Sequence, residues 1–280
     1  MQCTELRNET AKAFDRYIDI SENRIQAELR SGPFLYIDGF PATRRNEAYT
    51  QLRQGQILLR HENTREEGHP LTVAYGLIHD WSGVSFIPGA SLSRTLAVVL
   101  DYDNLHNIYT DVHQSRLIAR NGNIFTVFLQ FYKKSLITVV LNAQFESYLE
   151  QFGARRAVIW SRSTRIAEVD DPDDAGAHEL PVNSGHGYLW RLNSYWRFEE
   201  RDGGVYVQLE SIGLSRSVPA IFAWLVNPLL RSIPRGTLSG LLRETRTAVL
   251  HSHKEKSPAQ HTTDSPLAAR LTFRADPRTC

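Results

Sequence analysis

The chain has 280 residues, of which 41% are apolar and 22% charged, and its formal net charge is +1. This composition is typical of a soluble globular protein. The small net charge argues against nucleic acid as a partner, because no overall field would attract it. No apolar run reaches the about 18 residues that a membrane span requires. We therefore expect at most transient contact with a membrane.

The ends of the chain carry its two cysteines, Cys3 and Cys280. Two terminal thiols do not make a disulfide framework, and no CxxC pair indicates zinc. The start lacks the basic and apolar regions of a signal peptide, so a cytoplasmic location is the default expectation. The sequence leaves the oligomeric state open.

The first predicted element is an amphipathic helix over residues 4–30. Its apolar stripe consists of Phe14, Ile18, Ile25 and Leu29. One strand is predicted within "GQILLRHEN" and another over 76–87. Helical segments follow in 91–111, with Ser91 as the expected N-cap.

Six strands separated by turn signals come next. They cover 113–120, 123–132, 136–149, 155–169, 188–198 and 205–214. A long helix is predicted over 217–250, which Pro228 and Pro234 should kink or interrupt. The sequence thus predicts an extension over 1–50, one domain over 51–250 and a disordered tail over 251–280.

This order of elements predicts an α+β fold. A curved antiparallel sheet would wrap around the long C-terminal helix, which would bury its apolar face in the sheet. The N-terminal helix would be an addition to that arrangement.

Three segments resemble the START-like (SRPBCC, Bet v 1-type) helix-grip superfamily. They are "HDWSGVSFIPG", "LDYDNLHNIYTDV" and the hairpin "WRFEERDGGVYVQLE" before the "SVPAIFAWLVNPLLRSIPRGTL" helix. The segment "LWRLNSYWRFEE" looks like one found in bacterial START-like proteins of unassigned role. The resemblance covers roughly 76–250. It implies a cavity between sheet and long helix that takes lipids or other apolar ligands, and some relatives are aromatase/cyclase-like enzymes. It transfers no catalytic residues.

Alternation along the hairpin predicts two chemically different faces. If "RDGG" is a four-residue turn, residue 198 lies opposite 207 and 196 opposite 209. The aromatic face and the long helix would then line the cavity, or equally form dry core. The candidate ligand-binding residues are Tyr188, Trp190, Ser194, Trp196, Phe198, Val207, Leu209, Phe222 and Leu225.

The opposite face of the hairpin carries polar residues. Glu210 is expected opposite Tyr195, with Asn193 and Arg197 nearby. Two alternatives stand: an outer, solvent-facing ladder of salt bridges, which the pattern favours, or the polar floor of a pocket.

Signals for catalysis, metals and cofactors are weak. The histidines are scattered, and the sequence contains no GxSxG or glycine-rich phosphate loop. We expect no metal and no cofactor, and we assign no catalytic residue. Asp101, Asp103 and Glu210 are the carboxylates that an enzyme using the same cavity would recruit.

The sequence therefore favours a protein that binds or transports a hydrophobic small molecule or lipid between the sheet and the C-terminal helix. A cyclase- or dehydratase-like enzyme is the first alternative. A non-enzymatic protein-interaction module, with the N-terminal helix as its interface, is the second.

Overall fold

The computed structural model describes residues 4–134, 138–217 and 220–255; for 220–234 and 253–255 it describes the backbone alone. Four helices are present in this part: α1 (Asn8–Ser31), α2 (Ala42–Arg53), α3 (Leu92–Val99) and α4 (Ala220–Glu255). Two short 3-10 turns cover Tyr36–Gly39 and Leu105–Asn107.

Eight strands of four or more residues form one antiparallel sheet. They are β1 (Leu58–His61), β2 (Gly76–Pro88), β3 (Val112–Asn121), β4 (Ile124–Lys134), β5 (Thr138–Phe152), β6 (Arg156–Asp170), β7 (Arg191–Arg201) and β8 (Gly204–Arg216). Their order is β1-β2-β8-β7-β6-β5-β4-β3, with His178–Glu179 beside β6. Two-residue pairs outside this sheet join Thr4–Glu5 to Ser184–Gly185 and Arg65–Glu66 to His69–Pro70. The predicted α+β class and antiparallel sheet are confirmed.

Local sequence signals explain where α3 begins and where α1 ends, but they do not break α4. Ser91 caps α3, because its hydroxyl accepts a hydrogen bond from the Arg94 N–H at 3.3 Å, as predicted. α1 ends just before Gly32 and Pro33, and proline disfavours a helical residue ahead of it. α4 is continuous across Pro228 and Pro234, so these prolines do not break the helix, and the alternative, a kink, remains a prediction.

Helices cover both faces of the sheet. We call the face under α3 and α4 the α4 face; its core joins strand residues such as Phe198 and Leu209 to Leu238 and Leu242 of α4. The opposite side, the α1 face, packs against α1 and α2. The N-terminal extension is thus part of the sheet's packing, and the division at residue 50 remains a prediction. The predicted disordered tail begins at residue 251, but residues 251–255 continue α4, and residues 256–280 lie outside the described residues.

Candidate functional site

The β7–β8 hairpin has the predicted register. Phe198 lies opposite Val207, Trp196 opposite Leu209 and Tyr195 opposite Glu210. Asp202 and Gly203 form the turn with φ angles of 56° and 73°, a pair of left-handed values typical of a two-residue hairpin turn. The turn thereby fixes which side chains share a face.

The α4 face carries four of the predicted ligand-binding residues in one apolar cluster. Phe198, Val207 and Leu209 are fully buried there. Trp196 is half-buried, and its ring stacks parallel to that of Phe198, with the ring centroids 6.0 Å apart. Trp196 therefore presents aromatic surface at the boundary of the dry core.

Trp190 lies on the other side of the sheet, so its predicted place beside Trp196 is wrong. It packs against Phe14 and Ile18 of α1 and against Leu214. The reason is that β7 starts at Arg191, so strand alternation does not extend back to residue 190. Tyr188 likewise precedes the strand; its ring stacks on His186 and its N–H donates to Glu168.

Phe222 and Leu225 lie in α4, but their side chains are outside the described residues. Their predicted contribution to the ligand site remains a prediction.

Four serines cross the α4 face in a straight line, and we call them the serine row: Ser147, Ser161, Ser194 and Ser211. Each is paired in register with the next on strands β5, β6, β7 and β8. The row continues into Phe125 on one side and Trp81 on the other. Ser194 was predicted as a polar contact, whereas the other three are missed by the sequence analysis. A single serine in a strand does not indicate a binding site; the row becomes visible only when the pairing of the four strands is known.

A histidine lies next to one end of this row. The His79 ring nitrogen Nε2 is 2.8 Å from the Ser215 hydroxyl. Burial, and to a lesser extent the charge of His61, lowers the pKa of His79 to about 4. The imidazole is therefore uncharged at neutral pH and can donate or accept a hydrogen bond.

The polar side of the hairpin is buried beneath α1, so the prediction of a solvent-facing ladder is wrong. The Tyr195 hydroxyl donates to Glu22 at 2.8 Å, and the Asn193 amide donates to Tyr195 at 3.4 Å. Glu210 forms an ion pair with Arg24 of α1. Asn193, Tyr195 and Glu210 thus bind the N-terminal helix.

Further polar contacts attach α1 to the same face. The Arg197 guanidinium is fully buried and donates to Glu28 at 2.6 Å and to the Phe34 carbonyl at 2.9 Å. Arg162 donates to Glu22 at 2.9 Å. These paired charges explain how a sheet face so rich in polar groups remains dry.

Two buried carboxyls within this contact have perturbed acidities. Burial raises the pKa of Asp80 well above its ordinary value, and the charge of Glu210 acts in the same direction. Burial also raises the pKa of Glu210, which Arg24 partly offsets. The Tyr17 hydroxyl of α1 donates to Asp80 at 2.8 Å. These acids contact the N-terminal helix rather than the α4 face.

The other carboxylates considered for catalysis are also away from the serine row. Asp101 accepts hydrogen bonds from Asn104, and Asp103 accepts one from the Leu117 N–H, both near the surface.

Among the described residues no group of three or more His, Cys, Asp or Glu side chains is arranged to hold a metal ion. Across the described helices, none is both long and apolar enough to cross a membrane.

Comparison of the sequence with protein-family models and with curated proteins gives no match. Solved structures of similar fold include a STAR-related lipid transfer protein from Xanthomonas axonopodis, 18% identical with a TM-score of 0.41, over 66% of this chain and 98% of that one. Human STARD10 is 11% identical with a TM-score of 0.44, over 78% and 83%. The Zhui aromatase/cyclase from Streptomyces sp. R1128 is 11% identical with a TM-score of 0.39, over 64% and 95%. These are START-type and aromatase/cyclase structures, the group that the sequence resembles.

Proposed function

We propose that this protein binds a hydrophobic small molecule or lipid on the α4 face of the sheet, between the sheet and α4. Binding is driven by removal of apolar ligand surface from water, at about 25 cal/mol per Å². Ordinary pockets of this kind are apolar with a few polar groups that set orientation.

One contrast supports this proposal. On the same central strand, Tyr195 is fully buried on the α1 face, whereas the adjacent Trp196 is half-buried on the α4 face. Ser161, Ser194 and Ser211, which occupy central strands on that face, are also half-buried. A central strand under helices is normally dry on both sides, so accessible surface at this place indicates room for a ligand.

The arrangement favours binding over catalysis. Glu168 and Glu200 lie at opposite ends of the α4 face, and each accepts a hydrogen bond from backbone N–H groups. These hydrogen bonds leave fewer lone pairs on each carboxylate for a ligand. Neither Glu168 nor Glu200 is adjacent to the serine row. No observation on the described residues favours the cyclase or dehydratase alternative.

The test uses 1-methylpyrene, an uncharged hydrocarbon whose emission is sensitised by nearby tryptophan. We expect saturable binding to the full chain and a loss of affinity of about tenfold or more in Trp196→Ala, because the variant loses aromatic contact area. The matched control is Tyr195→Phe, which removes a hydroxyl from the other face and should keep wild-type affinity. Native mass spectrometry of gently purified protein should show a bound apolar species.

Two results would overturn the proposal. One is the absence of saturable 1-methylpyrene binding together with an unchanged melting temperature across a lipid panel. The other is an equal loss of affinity in Trp196→Ala and Tyr195→Phe, which would show that the α4 face has no special role.

A further inference from the structure

We infer that the serine row recognises an uncharged oxygen of the ligand, a hydroxyl or a carbonyl, through Ser194 and Ser211. The ligand class is therefore a neutral, mainly apolar molecule with an oxygen in its middle, rather than a fatty acid or another ligand with a charged group at that position. This inference rests on the proposed function and specifies its ligand.

The register brings the four hydroxyls together. Ser147 pairs with Ser161, Ser161 with Ser194, and Ser194 with Ser211, without a shift at these positions. Neighbouring strands lie about 4.8 Å apart, so adjacent hydroxyls are within reach of one small polar group. All four side chains project to the same side of the sheet as Leu149, Ile159, Trp196 and Leu209, two residues away on each strand.

The four hydroxyls differ in their partners. Ser147 and Ser161 are hydrogen-bonded to each other at 2.9 Å. Ser194 and Ser211 have no side-chain hydrogen bond to any described residue, and both are half-buried. A serine hydroxyl can donate one hydrogen bond and accept two, so these two groups suit either a hydroxyl or a carbonyl.

The residues around the serine row disfavour a charged group on the ligand. The residues two positions before and after each serine on its strand include no Asp, Glu, Lys or Arg. Two titratable side chains lie near the row, and both are uncharged at neutral pH. Tyr102 is hydrogen-bonded to Ser147 and burial raises its pKa to about 12, and burial lowers the pKa of His79 to about 4. An ionised headgroup placed there would lose its hydration without gaining a counter-ion, which is costly. A neutral oxygen avoids that cost.

Aromatic side chains frame the two free hydroxyls. Trp81 is paired with Ser211 on β2, and Trp196 is two residues from Ser194 on β7. Both indoles are half-buried and pack against the apolar core. Apolar ligand surface can therefore contact the indoles while a single oxygen reaches the serines.

The experiment compares three probes that share one apolar body: 1-methylpyrene, 1-pyrenemethanol and 1-pyrenecarboxylate. For the wild-type chain at pH 7.5 we expect 1-pyrenemethanol to bind about tenfold more tightly than 1-methylpyrene, as two modest hydrogen bonds would give, and the carboxylate to bind most weakly. In Ser194→Ala/Ser211→Ala the preference for the alcohol should fall to about twofold or less, with 1-methylpyrene affinity unchanged.

Two further variants act as controls. Ser147→Ala/Ser161→Ala also removes two hydroxyls, but these two are hydrogen-bonded to each other. This variant should keep the preference for 1-pyrenemethanol over 1-methylpyrene. Ser194→Thr/Ser211→Thr retains both hydroxyls on residues that strands accept well and should also keep it. Melting temperatures of all variants check that the fold is intact.

The outcomes separate the two proposals. Saturable binding of 1-methylpyrene without a preference for the alcohol, or a preference that survives Ser194→Ala/Ser211→Ala, would overturn the role of the serine row and leave the apolar site standing. Tightest binding of the carboxylate would also overturn it. No binding of any probe would overturn the proposed function itself, and the inference with it.

Discussion

The two faces of the β7–β8 hairpin show how differently one sheet can treat its polar side chains. On the α1 face Tyr195, Arg197 and Glu210 are buried, charged or strongly polar, and bound to the N-terminal helix. On the α4 face the polar groups are small hydroxyls, and Ser194 and Ser211 lack side-chain partners among the described residues. The large polar residues of the α1 face bind the N-terminal helix, whereas the small serines of the α4 face are the ones that we propose contact a ligand.

The largest expected effect comes from opening the α1 face. Arg197→Ala leaves the Glu28 carboxylate and the Phe34 carbonyl without their buried donor and creates a cavity. We expect a loss of about 3 kcal/mol in the free energy of unfolding, measured by urea denaturation. The affinity for 1-methylpyrene per folded molecule should not change.

An exposed ion pair provides the matched control for that variant. Arg165 pairs with Glu179, and their side chains are 32% and 34% exposed, so Arg165→Ala should cost less than about 1 kcal/mol. Equal losses in Arg197→Ala and Arg165→Ala would show that α1 does not seal a dry face.

A smaller effect should depend on pH. Because the pKa of Asp80 is raised on folding, this carboxyl binds more protons in the folded than in the unfolded chain above about pH 4, and its contribution to the free energy of unfolding falls as pH rises. Asp80→Asn keeps an acceptor for Tyr17 and cannot ionise beside Glu210. We expect the stability of the variant relative to wild type to increase from pH 5 to pH 9.

The measurement is the urea midpoint of both proteins across that range. Arg24 and Glu210 are present in both, so the difference between the two curves reports the ionisation of Asp80 within its coupled environment. Curves that remain parallel would contradict a raised pKa for this carboxyl.

The smallest expected effect concerns the turn that assigns residues to faces. Gly203 has a φ of 73°, and a methyl group added there would meet no atom within 4 Å. Gly203→Ala should therefore cost about 1 to 2 kcal/mol through the backbone alone. Gly176→Ala, equally unhindered but without a left-handed φ, should be close to neutral in the same unfolding assay. A neutral Gly203→Ala would contradict the turn geometry.

The parts of the molecule that could be predicted from the sequence are governed by local rules. The turn at Asp202–Gly203 and period-two alternation predict correctly that Trp196 faces Leu209 and that Tyr195 faces Glu210. The N-cap at Ser91 is similarly local. These features depend on a few neighbouring residues, so no knowledge of the distant chain is needed.

Other features depend on contacts between distant segments. The polar hairpin face resembles a solvent face unless one knows that α1 covers it with Glu22, Arg24 and Glu28. A useful signal was present, since Glu22 and Ile25 fall within one buried side of an otherwise ordinary amphipathic helix. The serine row is also non-local, because alignment of its members depends on three separate strand pairings.

The pairing of β2 with β8 has a consequence for how the chain reaches this structure. Gly76 lies opposite Arg216, so the pairing of β2 with β8 cannot be completed until nearly all strands of the sheet have left the ribosome. α1 emerges first, yet Tyr195, Ile212 and Leu214, against which it packs, emerge among the last strands. Such long-range pairing slows folding. During synthesis the apolar stripe of α1 therefore has no strand to pack against until β7 and β8 are made, and it stays exposed to chaperones or to neighbouring nascent chains.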